Sequence, residues 1–245
     1  GAARVVLASR GGRVSRDGQG LGAQLRSFGA RAQVVACDNA DPSDTGAFIA
    51  FGQLLTGVLH AAGMGDKGLM VGLEAHRVEW MFVPKAFGAR CLHGAVMMVP
   101  VEARVLFSSV GSGLGNVGQT NYAAGNACLD SQAIFLRACG VNVCSLQWPL
   151  VGGAGMGAAA FSALGGRHMM PMVGLAGITL DQYALCIDMQ LAVVHGGATV
   201  VQMTHRSDTS ELLNDLADAS QPRFSELRSS PADEARRSLP AISNT

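Results

Sequence analysis

Charge of either sign is scarce in this 245-residue chain. Only 15% of its residues are charged, and 18 Lys and Arg balance 18 Asp and Glu. With no net basic field, the chain lacks the electrostatic footprint of a nucleic-acid or anionic-lipid binder. Long hydrophobic runs are missing too. Stretches such as Val141 to Leu150 are broken by polar residues or proline well short of a membrane span. No charged segment followed by an apolar one stands at the N-terminus, so no secretory signal is visible. The six cysteines (37, 91, 128, 139, 144 and 186) contain no CxxC pair and lie mostly in apolar segments. That suits small buried thiols in a reducing, intracellular and cytoplasmic setting better than a disulfide frame or a zinc site. Glycine is abundant, at 32 residues, but without a period, which excludes collagen and solenoid repeats.

What is present is apolar material, 49% of the chain, in a regular alternation. Short β-branched runs read as strands: "ARVVLAS" (3–9), "AQVVAC" (32–37), "TGVLH" (56–60), "ARVLFSS" (103–109), "VNVCSLQ" (141–147) and "GATVVQM" (197–203). They are nearly continuously apolar, as strands covered on both faces should be. Helical patterns fall between them, over 20–28, 43–53, 74–93, 122–139 and 179–195. Strand–helix alternation predicts an α/β fold with a Rossmann-like, doubly wound parallel sheet. After Met203 the composition turns polar, rich in Ser, Pro and mixed charge. Its first part suits one docked helix, and residues 229–245 read as a flexible linker.

The opening "GAARVVLASRGG" begins directly on a strand. A dinucleotide fold normally starts with a strand, a glycine-rich turn and a helix whose N-terminus meets the pyrophosphate. None of these precedes residue 1, and "GQGLGA" (18–23) follows a polar loop and reads as a loop and helix start.

The stretch "SSVGSGLGNVGQTNYAAGN", Ser108 to Asn126, has four glycines ahead of its tyrosine, at 111, 113, 115 and 118. They could cradle a phosphate, or form the turn between two reactive side chains. Ser109 ends a predicted strand and Tyr122, thirteen residues on, opens a predicted helix. The glycines let the chain reverse tightly, so that a hydroxyl and a phenol face one cavity. Tyr122 and Asn126, four residues apart, share a helix face. A phenol with an ordinary pKa of about 10 is a poor proton donor at neutral pH. A nearby ammonium, stabilising the phenolate, brings it closer to working range.

Ser–x12–Tyr after a hydrophobic strand resembles the short-chain dehydrogenase/reductase family. There a lysine four residues past the tyrosine supplies the ammonium, whereas this chain has Asn126. With "VPKAFGARCLH" upstream, "FSSVGSGLGNVGQTNYAAGNACLD" resembles the ketoreductase domain of polyketide synthases and animal-type fatty acid synthases. In those domains the lysine and asparagine have exchanged places. The resemblance implies Lys85 as the ammonium, Tyr122 as proton donor, Ser109 as the hydroxyl that binds the substrate carbonyl, and Asn126 as holder of a relay water. It also implies NADPH as cofactor. "VVLASRGG" is similar to the strand whose arginine, here Arg10, pairs with the 2′-phosphate, and "VVACDNAD" to the segment whose aspartate, Asp38, lies against the adenine. "GVLHAAG" resembles the loop past the ribose, with Ala61, Ala62 and Gly63. "SLQWPLVGGAGM" is similar to the stretch that covers the nicotinamide, with Pro149, and starts a substrate lid. "PRFSEL" resembles the end of such domains, ahead of a linker to an acyl carrier protein.

The activity so implied is NADPH-dependent reduction of a β-ketoacyl thioester borne by an acyl carrier protein domain, beside other synthase domains in one chain. Residues 1–228 would be the ketoreductase subdomain, lacking its first strand, glycine-rich turn and first helix. Without that turn the 245-residue piece is expected to bind NADPH poorly. Two other readings stay open: a non-catalytic, ketoreductase-like scaffold, and a stand-alone short-chain carbonyl reductase. The stereochemical markers are incomplete, with Gly65, Asp66 and Lys67 where many relatives have Leu-Asp-Asp, and Leu114 where others have tryptophan. His60 reads as a packed strand-end residue, and the other histidines show no metal-ligand spacing. The "MMPM" run (169–172) reads as adaptable packing around the lid.

Overall fold

The computed structural model describes residues 4–13, 23–24, 27, 29, 31–51, 55–66, 68–115, 118–152, 175–193, 196–203, 205–206, 209–215 and 218–227. The chain runs through β1 (Arg4–Ser9), β2 (Arg31–Ala36), α1 (Pro42–Phe51) and β3 (Gly57–His60). A 3-10 turn, Met70–Gly72, leads into α2 (Ala75–Phe82), a π-helical turn (Val83–Phe87) and α3 (Gly88–Ala95). Next come β4 (Ala103–Ser109), α4 (Val110–Leu114), α5 (Thr120–Ala138) and β5 (Val143–Trp148). The remainder is β6 (Leu175–Ala176), α6 (Leu180–Val193), β7 (Val200–Gln202), β8 (His205–Arg206), α7 (Thr209–Asp215) and a 3-10 turn at Pro222–Leu227.

All six predicted strands are found, and they pair in parallel, as the apolar runs and intervening helices predict. They form two ladders: β1 with β2, and a four-stranded sheet in the order β3-β4-β5-β7. Ser9 sits opposite Ala36 in the first, and Ser109 opposite Trp148 in the second. The chain divides into two compact units, Gly1–Trp148 with Ala184–Met203, and Pro149–Tyr183 with Thr204–Thr245. Within the second unit β6 pairs antiparallel with β8, and Val151 bridges Ile178. The sequence holds no sign of the β6–β8 pair, whose strands are two residues long.

In the four-stranded sheet β5 is buried along its whole length and β4 nearly so. Leu106, Val143, Leu129, Ala133, Leu136 and Ala89 make one core cluster under α5 and α3. A second cluster joins Ile49 of α1 to Val96 and Val101. Each large aliphatic side chain so buried contributes roughly 1.5–3 kcal/mol. The first ladder differs from expectation: every β2 residue but Val35 is exposed. β1 and β2 pack chiefly on one another, and Val5, Val6 and Leu7 of β1 are half-buried. Cys139 is likewise exposed where a buried thiol was expected, while Cys37 and Cys144 are buried.

The long helix predicted over 74–93 is present but interrupted. Pro84 has no N–H to give, and its ring crowds the carbonyl four residues back. The helix answers by widening into the π-turn Val83–Phe87. Of the helix predicted over 20–28, Ala23, Gln24 and Ser27 are described and helical. Residues 18–22, the lid segment from Gly153, the "MMPM" run and the 229–245 linker lie outside the described residues. Among the described residues no helix is long and apolar enough to cross a membrane.

Candidate active site

Parallel strands point the same way, so whatever follows their carboxyl ends collects on one edge of a ladder, where open α/β sheets bind ligands. Arg10 follows β1, Asp38 follows β2, Ala61 to Gly63 follow β3, and Ser109 closes β4. Pro149 follows β5 and is buried. Arg10 is exposed and lines a cavity of about 260 Å³ with Met64, Glu79, Trp80 and Pro84. The Asp38 carboxylate is engaged in its own turn, where Oδ1 accepts from Ala40 N at 3.0 Å. Gly63 is where a side chain could not fit unaided: a Cβ there would lie 2.9 Å from both Cε and Nζ of Lys85.

Lys85 leaves the π-turn and is only 3% exposed. Its Nζ donates to Asn126 Oδ1 at 2.8 Å, and Asn126 Nδ2 donates to Tyr122 O at 2.9 Å. The ammonium lies 5.4 Å from the centre of the Tyr122 ring, within cation–π range. The three residues predicted to share one proton path are therefore brought together from two helices. Burial pushes the Lys85 ammonium down to about 8, and the Asp130 carboxylate acts in the opposite direction. On the other side of Lys85 is His60, pushed down to about 4 by burial and then by the lysine's charge. Tyr122, Asn126 and Asp130 follow one another at four-residue steps, so α5 lines them along one face.

Ser109 caps α4: its Oγ accepts from Gly111 N at 3.2 Å. That bond uses a lone pair and leaves the hydroxyl proton to be donated elsewhere. The glycine stretch is thus more than the single turn the sequence suggests. It opens with α4, and only then reverses through Gly115 (φ 84°) and Gly118 (φ 73°), in the left-handed region that favours glycine.

Two features of the site carry no motif in the sequence. The buried Asp130 carboxylate accepts from Ser112 Oγ at 2.6 Å, Ser145 Oγ at 2.6 Å and Gln147 Nε2 at 2.8 Å. It ties α5 to β5 and to the turn that carries Ser109. Asp66, which in the sequence stands only within the incomplete stereochemical marker, accepts from Asn121 Nδ2 at 2.7 Å and from the Arg77 guanidinium. It fixes the residue before Tyr122. The one available signal was the position of Asn121 beside the tyrosine; the Asp130 partners are scattered over 35 residues of chain and gave none.

Residues 1–153 match the family described as the KR domain. Among curated proteins the chain is similar to polyketide synthase GfsB of Streptomyces halstedii, 41% identical over 151 residues, or 60% of this chain and 3% of that protein. It is 35% identical over 195 residues to the spectinabilin polyketide synthase system protein NorB of Streptomyces orinoci, covering 78% of this chain and 9% of NorB. Among solved structures it is similar to A-type ketoreductases from a modular polyketide synthase, with a TM-score of 0.78 and 28% identity over 96% of this chain and 48% of that one. The first ketoreductase of the tylosin synthase gives a TM-score of 0.73, also at 28% identity, over 94% of this chain and 50% of that one. The chain spans about half the length of these solved ketoreductases and a small fraction of the curated synthases. With a parallel α/β sheet and a family match over more than half its length, the chain belongs to the ketoreductase domains of polyketide synthases, of the short-chain dehydrogenase/reductase fold.

Proposed function

We propose that this chain carries the proton-delivery site of an NADPH-dependent β-ketoacyl reductase whose substrate is an acyl chain held as a thioester on an acyl carrier protein domain. The observation that carries the reading is the Lys85–Asn126–Tyr122 contact, an ammonium fixed by one side chain against the ring of another.

The residues present fit the cofactor. Arg10 offers an exposed guanidinium at the carboxyl end of β1, beside a cavity walled by Trp80 and Met64, and a guanidinium pairs bidentately with phosphate. Arg10 would hold the 2′-phosphate, the Asp38 loop the adenine, Ala61 to Gly63 the ribose, and Pro149 the nicotinamide. When bound, NADPH supplies the hydride that reduces the β-carbon of the ketone.

The chain's own side chains manage the oxygen. Ser109 donates its free hydroxyl proton in a hydrogen bond to the carbonyl oxygen, where negative charge builds. Tyr122 gives its phenolic proton to that oxygen, completing the alcohol and leaving a phenolate. The Lys85 ammonium stabilises the phenolate and replaces its proton. Asn126 holds the ammonium through Oδ1 and orients the water that resupplies it.

The test is Tyr122→Phe in the full-length polypeptide that carries this chain, with reduction of a carrier-bound β-ketoacyl thioester followed by NADPH consumption. The expected loss is about 10²–10⁴-fold, the usual worth of a general acid. Reduction that persisted within a few-fold would overturn the reading.

A further inference from the structure

We infer that His60 and Asn39 are positioning residues for Lys85, holding by two hydrogen bonds the π-turn that aims its side chain at Asn126. The inference rests on the proposed role of Lys85 and says how that residue is presented.

A π-turn carries an extra residue, so some carbonyls along it lose their regular helical donors. Gly88 N reaches back to Val83 O and Lys85 O and passes over Pro84 O, and both Pro84 O and Lys85 O take a partner from outside the helix. Asn39 Nδ2, from the loop after β2, donates to Pro84 O at 2.7 Å. His60 Nε2, at the end of β3, lies 3.3 Å from Lys85 O. A carbonyl can only accept, so Nε2 must carry the imidazole proton. The ring is buried, and its lowered pKa keeps it neutral, so it serves as a donor of fixed tautomer.

Gly88 points the same way. A Cβ at this position would lie 1.9 Å from Asn39 Nδ2, so any side chain would expel the amide from the Pro84 carbonyl. A histidine that merely filled space could be replaced by leucine without consequence for Lys85. A histidine that donates could be replaced only by a side chain with an N–H at the same reach, and glutamine has one.

The charged and titratable groups facing Lys85 are His60 from β3 and Tyr122 and Asp130 from α5. Lys85 therefore reports its own placement through its titration. The experiment is NMR on the 245-residue chain, reading the histidine tautomer by nitrogen correlation and the Lys85 titration by a carbon label at Cε. In the unaltered chain His60 is expected as the Nε2–H tautomer throughout the neutral range, with Lys85 titrating near 8. His60→Gln keeps that titration. His60→Leu and Gly88→Ala move it up toward the ordinary lysine value of about 10.4, because the side chain leaves its buried seat.

An Nδ1–H tautomer in the unaltered chain would overturn the inference, with no variant needed. So would a folded His60→Leu chain whose Lys85 still titrates near 8. Should His60→Leu fail to fold, the tautomer and Gly88→Ala decide. Both readouts are free of turnover, so a full-length polypeptide that reduced no ketone would sink the proposed reaction and leave this test standing.

Discussion

Lys85 Nζ and Asn126 Oδ1 lie 2.8 Å apart, and both residues are out of contact with solvent. The pair joins a widened turn to the middle of a regular helix, so the ammonium has one fixed acceptor. Asn126→Leu keeps the branching at Cγ, in a larger side chain, and removes that acceptor. Reductase turnover at saturating substrate should fall roughly 10²-fold, the cost of misplacing a reacting group by about an ångström. Unchanged turnover in a folded variant would show that the contact is only packing.

The proposed reaction has a signed pH dependence. Lys85 titrates near 8, so its charge is lost as pH rises through that value. Reduction should therefore decline above it, since a neutral amine neither stabilises a phenolate nor restores its proton. Asn126→Asp sets a carboxylate against the ammonium and should move the decline to higher pH.

Stability responds in the opposite sense. The folded chain holds Lys85 well below the ordinary 10.5, so between about 8 and 10.5 the unfolded chain binds the extra proton. Where the unfolded state binds more protons, the free energy of unfolding, and so the stability, rises with pH, here by a few kcal/mol at roughly 1.4 kcal/mol per unit. Urea unfolding of the unaltered chain and Lys85→Met, each at pH 7 and pH 10.5, should show this gain in the first and its loss in the second.

Gly63→Ala probes the seat of the lysine directly. The added methyl meets only the flexible end of Lys85, 2.9 Å away, so the side chain can swing aside at little cost in stability. The unfolding free energy from urea titration should change by no more than about 0.5 kcal/mol, as for a mild substitution. Turnover should drop by about 10²-fold as Lys85 leaves Asn126. A large loss of stability with turnover intact would contradict the geometry.

Asp130→Ala should act mainly on stability. It strands donors on Ser145 and Gln147, while Ser112 Oγ keeps Ser109 O as an acceptor, and a buried donor left without a partner costs about 1–3 kcal/mol. A loss of 3 kcal/mol or more in urea unfolding is expected. The Lys85 titration should also fall further, because the charge that opposes desolvation has gone.

Strands were legible because apolar runs between helical patterns admit few other arrangements. The Ser109–Tyr122–Asn126 spacing was legible because strand ends and four-residue helix steps are local facts. Lys85 could be named by resemblance alone, since nothing in "VPKAFG" foretells that Pro84 widens the helix instead of ending it. His60 reads as a packed strand-end residue and is buried as expected. Its bond to the Lys85 carbonyl depends on two elements meeting 25 positions apart. The exposure of β2 was hidden for a related reason: an apolar strand declares what it could bury, not what comes to cover it.

The spacing of Tyr122, Asn126 and Asp130 along α5 has a consequence for how this stretch can evolve. Inserting or deleting one residue between 123 and 129 would turn everything beyond it by about 100°. Either the phenol or the buried carboxylate would then face away from the other two groups. Descendants of this gene are free to substitute here within limits of size and polarity, but the length of the segment is frozen.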